Sequence, residues 1–271
     1  ERNSVDLAIS PLFINAGFQN VNEEKSKSFG ISAGYSNLGL VTKLIKFNND
    51  FTKAPESFGT NFNFRIKNKN GGILKYYGSF DTNKIGLQAE SLEANIDFDN
   101  TNLKGKNTFH NLSFKQKFGQ YLLNLGSSYT YNSSFIALSN TFENEEINPN
   151  TIDITGNYWN TKGTLERKIN KISAVRAGIE YNQSNEKTDV SAAPAPFEFK
   201  DQITSLFAET DLGFSNNLSA KIGVRSEYSN AIDRWNLAPR FAMAYRISKT
   251  WTSSLAYGIF YQNPESKYIN S

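Results

Sequence analysis

Apolar side chains in this chain recur at every second position, in runs of about ten residues. From Leu218, one set holds Leu218, Ala220, Ile222, Val224, Ser226 and Tyr228, and the other Ser219, Lys221, Gly223, Arg225 and Glu227. From Leu237, the sets are Leu237, Pro239, Phe241, Met243, Tyr245 and Ile247 against Ala238, Arg240, Ala242, Ala244 and Arg246. From Trp251, the apolar set is Trp251, Ser253, Leu255, Tyr257, Ile259 and Tyr261. A sustained period of two means strand, because a helix would scatter each set around its circumference. Soluble strands average about five or six residues, whereas a tilted strand needs about ten to cross a bilayer.

The pattern repeats upstream, at Tyr121 to Tyr131, Val175 to Tyr181 and Phe58 to Ile66, with weaker strands near 5–19, 28–36, 72–82, 107–117, 157–168 and 202–213. About twelve strands result. Pro11 is awkward inside the first and predicts a bulge or a later start there. Short turns (68–71, 118–119, 170, 215–217, 248–250) alternate with longer polar segments (37–57, 83–106, 133–156, 184–201, 229–236). Membrane barrels have short periplasmic turns and long extracellular loops, so strands starting at 218 and 251 ascend, and those starting at 202 and 237 descend.

Composition agrees. Only 38% of the 271 residues are apolar, yet 14% are aromatic, which suits apolar side chains spread thinly over a wide surface. The longest apolar run is five residues, Phe241 to Tyr245, so no helix of about twenty apolar residues can form. Mean hydropathy is −0.51. A barrel that is apolar outside and polar inside tolerates that value. A net charge of +3 with both signs interspersed points away from nucleic acid. No Cys is present, which removes disulfides, thiolate metal sites and Cys nucleophiles. No basic-then-apolar leader opens the chain, the expectation being a cytosolic protein or a mature or cut piece.

The alternation assigns directions to side chains. Glu209, Asp211, Lys221, Arg225, Glu227, Arg240 and Arg246 share one face of three neighbouring strands and are expected to face the lumen. Against lipid, each basic one would cost roughly 2–4 kcal/mol near the midplane. A hydrated, self-paired wall is the simpler reading of this group, ahead of a ligand site. Tyr131, Tyr181, Tyr228 and Tyr261 each take the last lipid-facing position of an ascending strand, where a ring sits in hydrocarbon and its hydroxyl in water. Trp251 marks the opposite boundary. His110, the single histidine, is expected to be a lumen or loop residue; Ser113, three positions away on a strand, lies on the opposite face and cannot pair with it. The acidic runs Glu143 to Glu146 and Glu186 to Asp189 lack the spaced ligands of a calcium loop. No catalytic residue, cofactor site or metal site is expected.

Several stretches then resemble a known family. Ser205 to Leu212 followed by Leu218 to Tyr228 resembles a hairpin of TonB-dependent outer-membrane receptors, as does Leu237 to Tyr245 followed by Leu255 to Pro264. Gly34 to Gly39 and Thr52 to Pro55 are similar to early barrel strands of the Bacteroidetes-type versions. The resemblance implies an all-β, antiparallel transmembrane barrel of about 22 strands with a plug inside it. Residues 1–271 would be a partial barrel domain, roughly strands two to thirteen, without plug or terminal strands. It also implies uptake of a scarce extracellular ligand (siderophore, vitamin, glycan or peptide). The implied partners are outer-membrane lipid, the plug, the TonB system acting through it and a surface lipoprotein. Two other readings stay open: a self-contained twelve-stranded passive channel or outer-membrane enzyme, and a soluble β-sheet binding protein.

Overall fold

The structure is a computed structural model that describes residues 3–45, 47, 50–93 and 95–263. Pro264, the end of one family-like stretch, lies outside them. Thirteen antiparallel strands form one sheet: β1 (Ser4–Ile9), β2 (Phe13–Val21), β3 (Lys27–Asn37), β4 (Asp50–Lys67), β5 (Ile73–Glu90), β6 (Phe98–Phe118), β7 (Tyr121–Phe142), β8 (Glu145–Lys168), β9 (Ala174–Val190), β10 (Phe197–Gly213), β11 (Leu218–Ser229), β12 (Arg234–Arg246) and β13 (Thr252–Gly258). A short helix, α1 (Gly39–Leu44), joins β3 to β4. Spatial order follows chain order from β1 to β13, an up-and-down meander in which β1 and β13 are edges.

Three expectations are corrected. The strand near 5–19 is a hairpin of two, because Pro11 sits in a turn where Ser10 Oγ accepts hydrogen bonds from the backbone N–H groups of Leu12 and Phe13. Thirteen strands therefore replace twelve. The long polar segments are mostly strand: β7 and β8 run on to a two-residue turn at Glu143 and Asn144, both at positive φ. The alternation of short and long survives as hairpin length rather than loop length. Pro55 and Pro149 are tolerated in these extensions because both fall at register shifts, between Lys53 and Glu56 in β4 and opposite Leu138 to Asn140 in β8, where a ladder N–H is dispensable. The strand from Trp251 is shorter than expected, ending at Gly258.

Across the described residues, the only buried apolar side chains are Ala220 and Ala238. A soluble sheet would cover its apolar face with a second layer. Here Ile179, Leu206 and Leu255 are 52%, 53% and 62% exposed. That observation overturns the soluble β-sheet reading. No described helix is long and apolar enough to cross a membrane, so any crossing is made by strands.

Candidate functional site

Strand pairing carries the two-sided pattern across the sheet. Leu125, Gly163, Ile179, Leu206, Ser226 and Leu237 are successive register partners on the apolar face. The adjacent row on the other face is Gly126, Lys162, Glu180, Ser205, Glu227 and Asn236.

The apolar face ends in rings along an oblique line. Following register partners from Tyr131 through Thr108, Phe80 and Thr60 reaches Ala33 in β3, two residues short of Tyr35. In the other direction, Asn157 leads to Asn185 in β9, four residues beyond Tyr181. The line thus slips two residues on one side and four on the other, six over six strands. One residue of about 3.3 Å per strand spacing of about 4.8 Å corresponds to a strand tilt of about 35°. That is the tilt of transmembrane barrels, and it brings Tyr35, Tyr129 and Tyr181 to a common height, with Tyr131 two residues further along its strand. Tyr228 lies level with Tyr181 in register, packs against Trp235 with ring centroids 5.2 Å apart and donates its hydroxyl to Asp233 Oδ1 at 2.7 Å. Trp251 lies in the turn before β13 and is 71% exposed.

Tyr261 does not follow this line. The segment after Gly258 leaves the strand, and Asn263 Nδ2 donates to Asp201 Oδ2 and Ser229 Oγ, each at 3.0 Å. Those bonds draw it over the polar face, where Phe260 and Tyr261 line a small cleft with Arg225, Glu227 and Arg240.

His110 is also corrected. It sits on the apolar face beside Tyr129, its register partner, with Tyr76 Oη 2.7 Å from Nδ1. Ring stacking and that single hydrogen bond satisfy it there. Glu143 and Asn144 form a turn tip, and Tyr158 Oη donates to Glu186 at 3.0 Å. No cluster of metal-ligating side chains occurs among the described residues.

Five of the seven charged residues expected on the polar face fall into two clusters with partners from further strands. Arg176 donates from Nη2 to Glu166 Oε2 at 2.6 Å and from Nη1 to Glu209. Lys221 joins Asp211 at 3.3 Å and Glu209 at 3.9 Å. Glu180 receives Lys162 at 3.2 Å and Arg225 at 3.0 Å. Arg225 also binds Glu227 at 2.9 Å and Ser205 Oγ at 2.8 Å. Ser205 is fully buried, and its hydroxyl donates a hydrogen bond to Glu227 Oε2 at 3.1 Å. Arg240 and Arg246 have no carboxylate partner among the described residues. Arg240 lies 5.0 Å from the Phe260 ring, and Arg246 lines a shallow recess with Asn216 and Asn217.

Residues not singled out from the sequence complete these clusters (Lys162, Glu166, Arg176, Glu180 and Ser205), and Phe207 lies in the row between them. Phe207 is an aromatic ring on the polar face, next to Gly178, where a Cβ would come within 2.6 Å of it. Lys162 Nζ lies 5.1 Å from the same ring. Around Phe207 opens a cleft of about 410 Å³ lined by Lys162, Arg176, Glu209, Lys221, Arg225 and Arg240.

A single-layered antiparallel sheet, apolar with an oblique ring border on one side and charge-paired on the other, is the wall of a transmembrane β-barrel. The sequence matches the family described as TonB dependent receptor-like, beta-barrel over residues 13–271, and the chain belongs to that family. Its members are outer-membrane receptors and transporters rather than enzymes, and this is an outer-membrane protein. Solved structures share the fold at low identity. The FpvAI–pyocin S2 complex matches with a TM-score of 0.66 at 8% identity, covering 95% of this chain and 42% of that one. The alcaligin outer-membrane receptor FauA of Bordetella pertussis matches at 0.63 and 11%, with coverages of 95% and 42%. The RagAB peptide importer in its open-open state matches at 0.66 and 10%, with coverages of 91% and 36%. The chain thus spans less than half the length of these structures. A comparison with curated proteins found no match.

Proposed function

We propose that residues 1–271 form part of the barrel wall of a TonB-dependent receptor whose charged face lines the lumen and whose apolar face meets lipid. The observation that carries this reading is the opposed pair of faces on one uncovered sheet. The unpaired edges of β1 and β13 support it as well, since unpaired backbone groups in hydrocarbon cost several kcal/mol each and call for further strands. An antiparallel meander of thirteen would also bring parallel edges together on closing, which weighs against a self-contained channel. On this reading a plug fills the lumen and meets the clusters around Phe207, and the hairpin extensions capture a ligand outside. Energy delivered through TonB then moves the plug and admits the ligand. The RagAB peptide importer and the alcaligin receptor FauA support a peptide or a small molecule as the kind of cargo, and the surface lipoprotein implied by the family resemblance is part of the same proposal.

Because residues 1–271 lack Cys, single-Cys variants in this stretch are clean probes once any Cys elsewhere in the full receptor is replaced. A membrane-impermeant thiol reagent should label positions 221, 225 and 240 when the plug is deleted and far less when it is present. Positions 222, 224 and 241 should stay unlabelled in both. Labelling that ignores the plug, or that is equal on the two faces, defeats the proposal.

A further inference from the structure

The apolar face carries a feature that the barrel reading leaves unexplained. Lys84 in β5 and Lys104 in β6 are direct register partners on that face, and Lys106, paired with Thr82, lies in the next row. Like charges directly opposite each other repel, with Cβ atoms about 5 Å apart. Compensation within the protein is partial. Lys84 Nζ is 3.5 Å from Glu56, a carboxylate shared with Lys53 at 3.2 Å. Among the described residues, Lys104 has only the face of the Phe135 ring, 5.4 Å away. Lys106 is exposed and has no carboxylate partner among the described residues. Asp153 and Asp189, the other acids in the row, lie beyond Phe135, two and three strands from Lys104.

Position matters as much as charge. Lys84 is four residues beyond Phe80 in ascending β5, and Lys106 is four residues beyond His110 at the same end of descending β6. All three cations therefore stand just outside the ring border, pointing away from the lumen, at the end where the strands run long. In an outer-membrane barrel that is headgroup depth in the outer leaflet. An ammonium there binds phosphate oxygens while its methylene stem lies on the apolar surface below.

We propose that Lys84, Lys104 and Lys106 bind the phosphate-bearing headgroup of an outer-leaflet lipid on the outside of the barrel. This rests on the lumen-and-lipid assignment proposed above. One phosphate between Lys84 and Lys104 replaces their repulsion with two charge-assisted contacts, and Lys106 widens the site for a second phosphate on the same headgroup.

The test uses the full receptor extracted from outer membranes in mild detergent, with retained phosphorylated lipid counted by native mass spectrometry. The variant is Lys84→Gln/Lys104→Gln/Lys106→Gln. The control, Lys67→Gln/Lys75→Gln/Lys115→Gln, removes equal charge from the other face of β4, β5 and β6. Retention should fall about tenfold or more in the first and stay at the wild-type level in the second. Folded protein is selected in both by its heat-modifiable gel mobility. If the triple variant fails to assemble, Lys106→Gln alone should show a smaller loss, as no side chain depends on it. Unchanged retention in the outward variant, or equal loss in both, overturns the lipid site. Inorganic phosphate that stabilises the delipidated receptor as well as lipid does overturns the commitment to a lipid. Wild-type receptor absent from the outer-membrane fraction would overturn the wall assignment itself.

Discussion

Leu255 and Ala256 are neighbours on β13 that face opposite ways: Leu255 pairs with Met243 on the apolar side, Ala256 with Ala242 on the polar side. Leu255→Arg places a guanidinium among lipid chains. Four residues separate Leu255 from Trp251 at the lower border, about 13 Å along the strand and about 10 Å along the membrane normal at a tilt of 35–45°. With an apolar band about 25 Å tall, that is within a few ångströms of the midplane, where arginine costs roughly 2–4 kcal/mol. Ala256→Arg puts the same group beside Ala242 and Lys221 in a wet interior and should cost less than about 1 kcal/mol. The assay is urea unfolding of the full receptor in bilayers, read by heat-modifiable mobility, together with the folded yield in outer membranes. Equal losses, or a greater loss for Ala256→Arg, would refute the facing of this strand and the oblique border with it.

Glu180→Gln should destabilise the barrel by about 1–3 kcal/mol, because it leaves Lys162 and Arg225 to share fewer carboxylates; adding Lys162→Gln should recover part of the loss in the same unfolding assay. Glu56, on the β4 extension beyond the ring border and outside the hydrocarbon, has its carboxyl held below the ordinary 4.5 by its hydrogen bond from Lys53 and by Lys84. A depressed carboxylate adds stability that is complete above its unfolded value and lost as pH falls through the folded one. Amide protection factors in the β4–β5 extension, which already correct for the intrinsic pH dependence of exchange, should therefore fall below about pH 4.5 in the wild type and not in Glu56→Gln. An epitope inserted between Glu143 and Asn144, at a turn already at positive φ, should be tolerated and reached by antibody on intact cells, whereas one at Gly119 should stay hidden. A reversed result would invert the orientation of every strand.

Facing was legible in the sequence wherever apolar and polar residues contrast, as in Leu218 to Tyr228. Extent was not. Ser133 to Phe142 and Phe98 to Lys106 continue as strands beyond the ring border, where water wets both faces and the alternation fades. Pro11 announced a break, but whether the break was a bulge or a turn depended on the Ser10 hydroxyl caps. Phe207 was visible as a ring among Ser205, Glu209 and Asp211; its role depends on the neighbouring Gly178, a cross-strand relation that needs the register. His110 shares its parity with Leu112 and Phe114, and that spacing already placed it on the apolar face, against the habit of sending a titratable group inward.

The near absence of buried apolar side chains decides where this wall finds its cohesion. A water-soluble domain of this size would draw on a core, with each large side chain contributing about 1.5–3 kcal/mol on burial. Here the outward side chains gain that only when lipid replaces water. What remains inside the protein is the backbone ladder between consecutive strands and the ion pairs of the polar face, and exposed pairs contribute little singly. Gathered on strands β8 to β11, most of those pairs join adjacent strands and Glu180–Arg225 reaches across β10, so they fix register rather than hold distant parts together. Stability is therefore shared with the bilayer outside and with whatever occupies the lumen, and emptying either side should loosen β8 to β11 before the backbone ladder itself gives way.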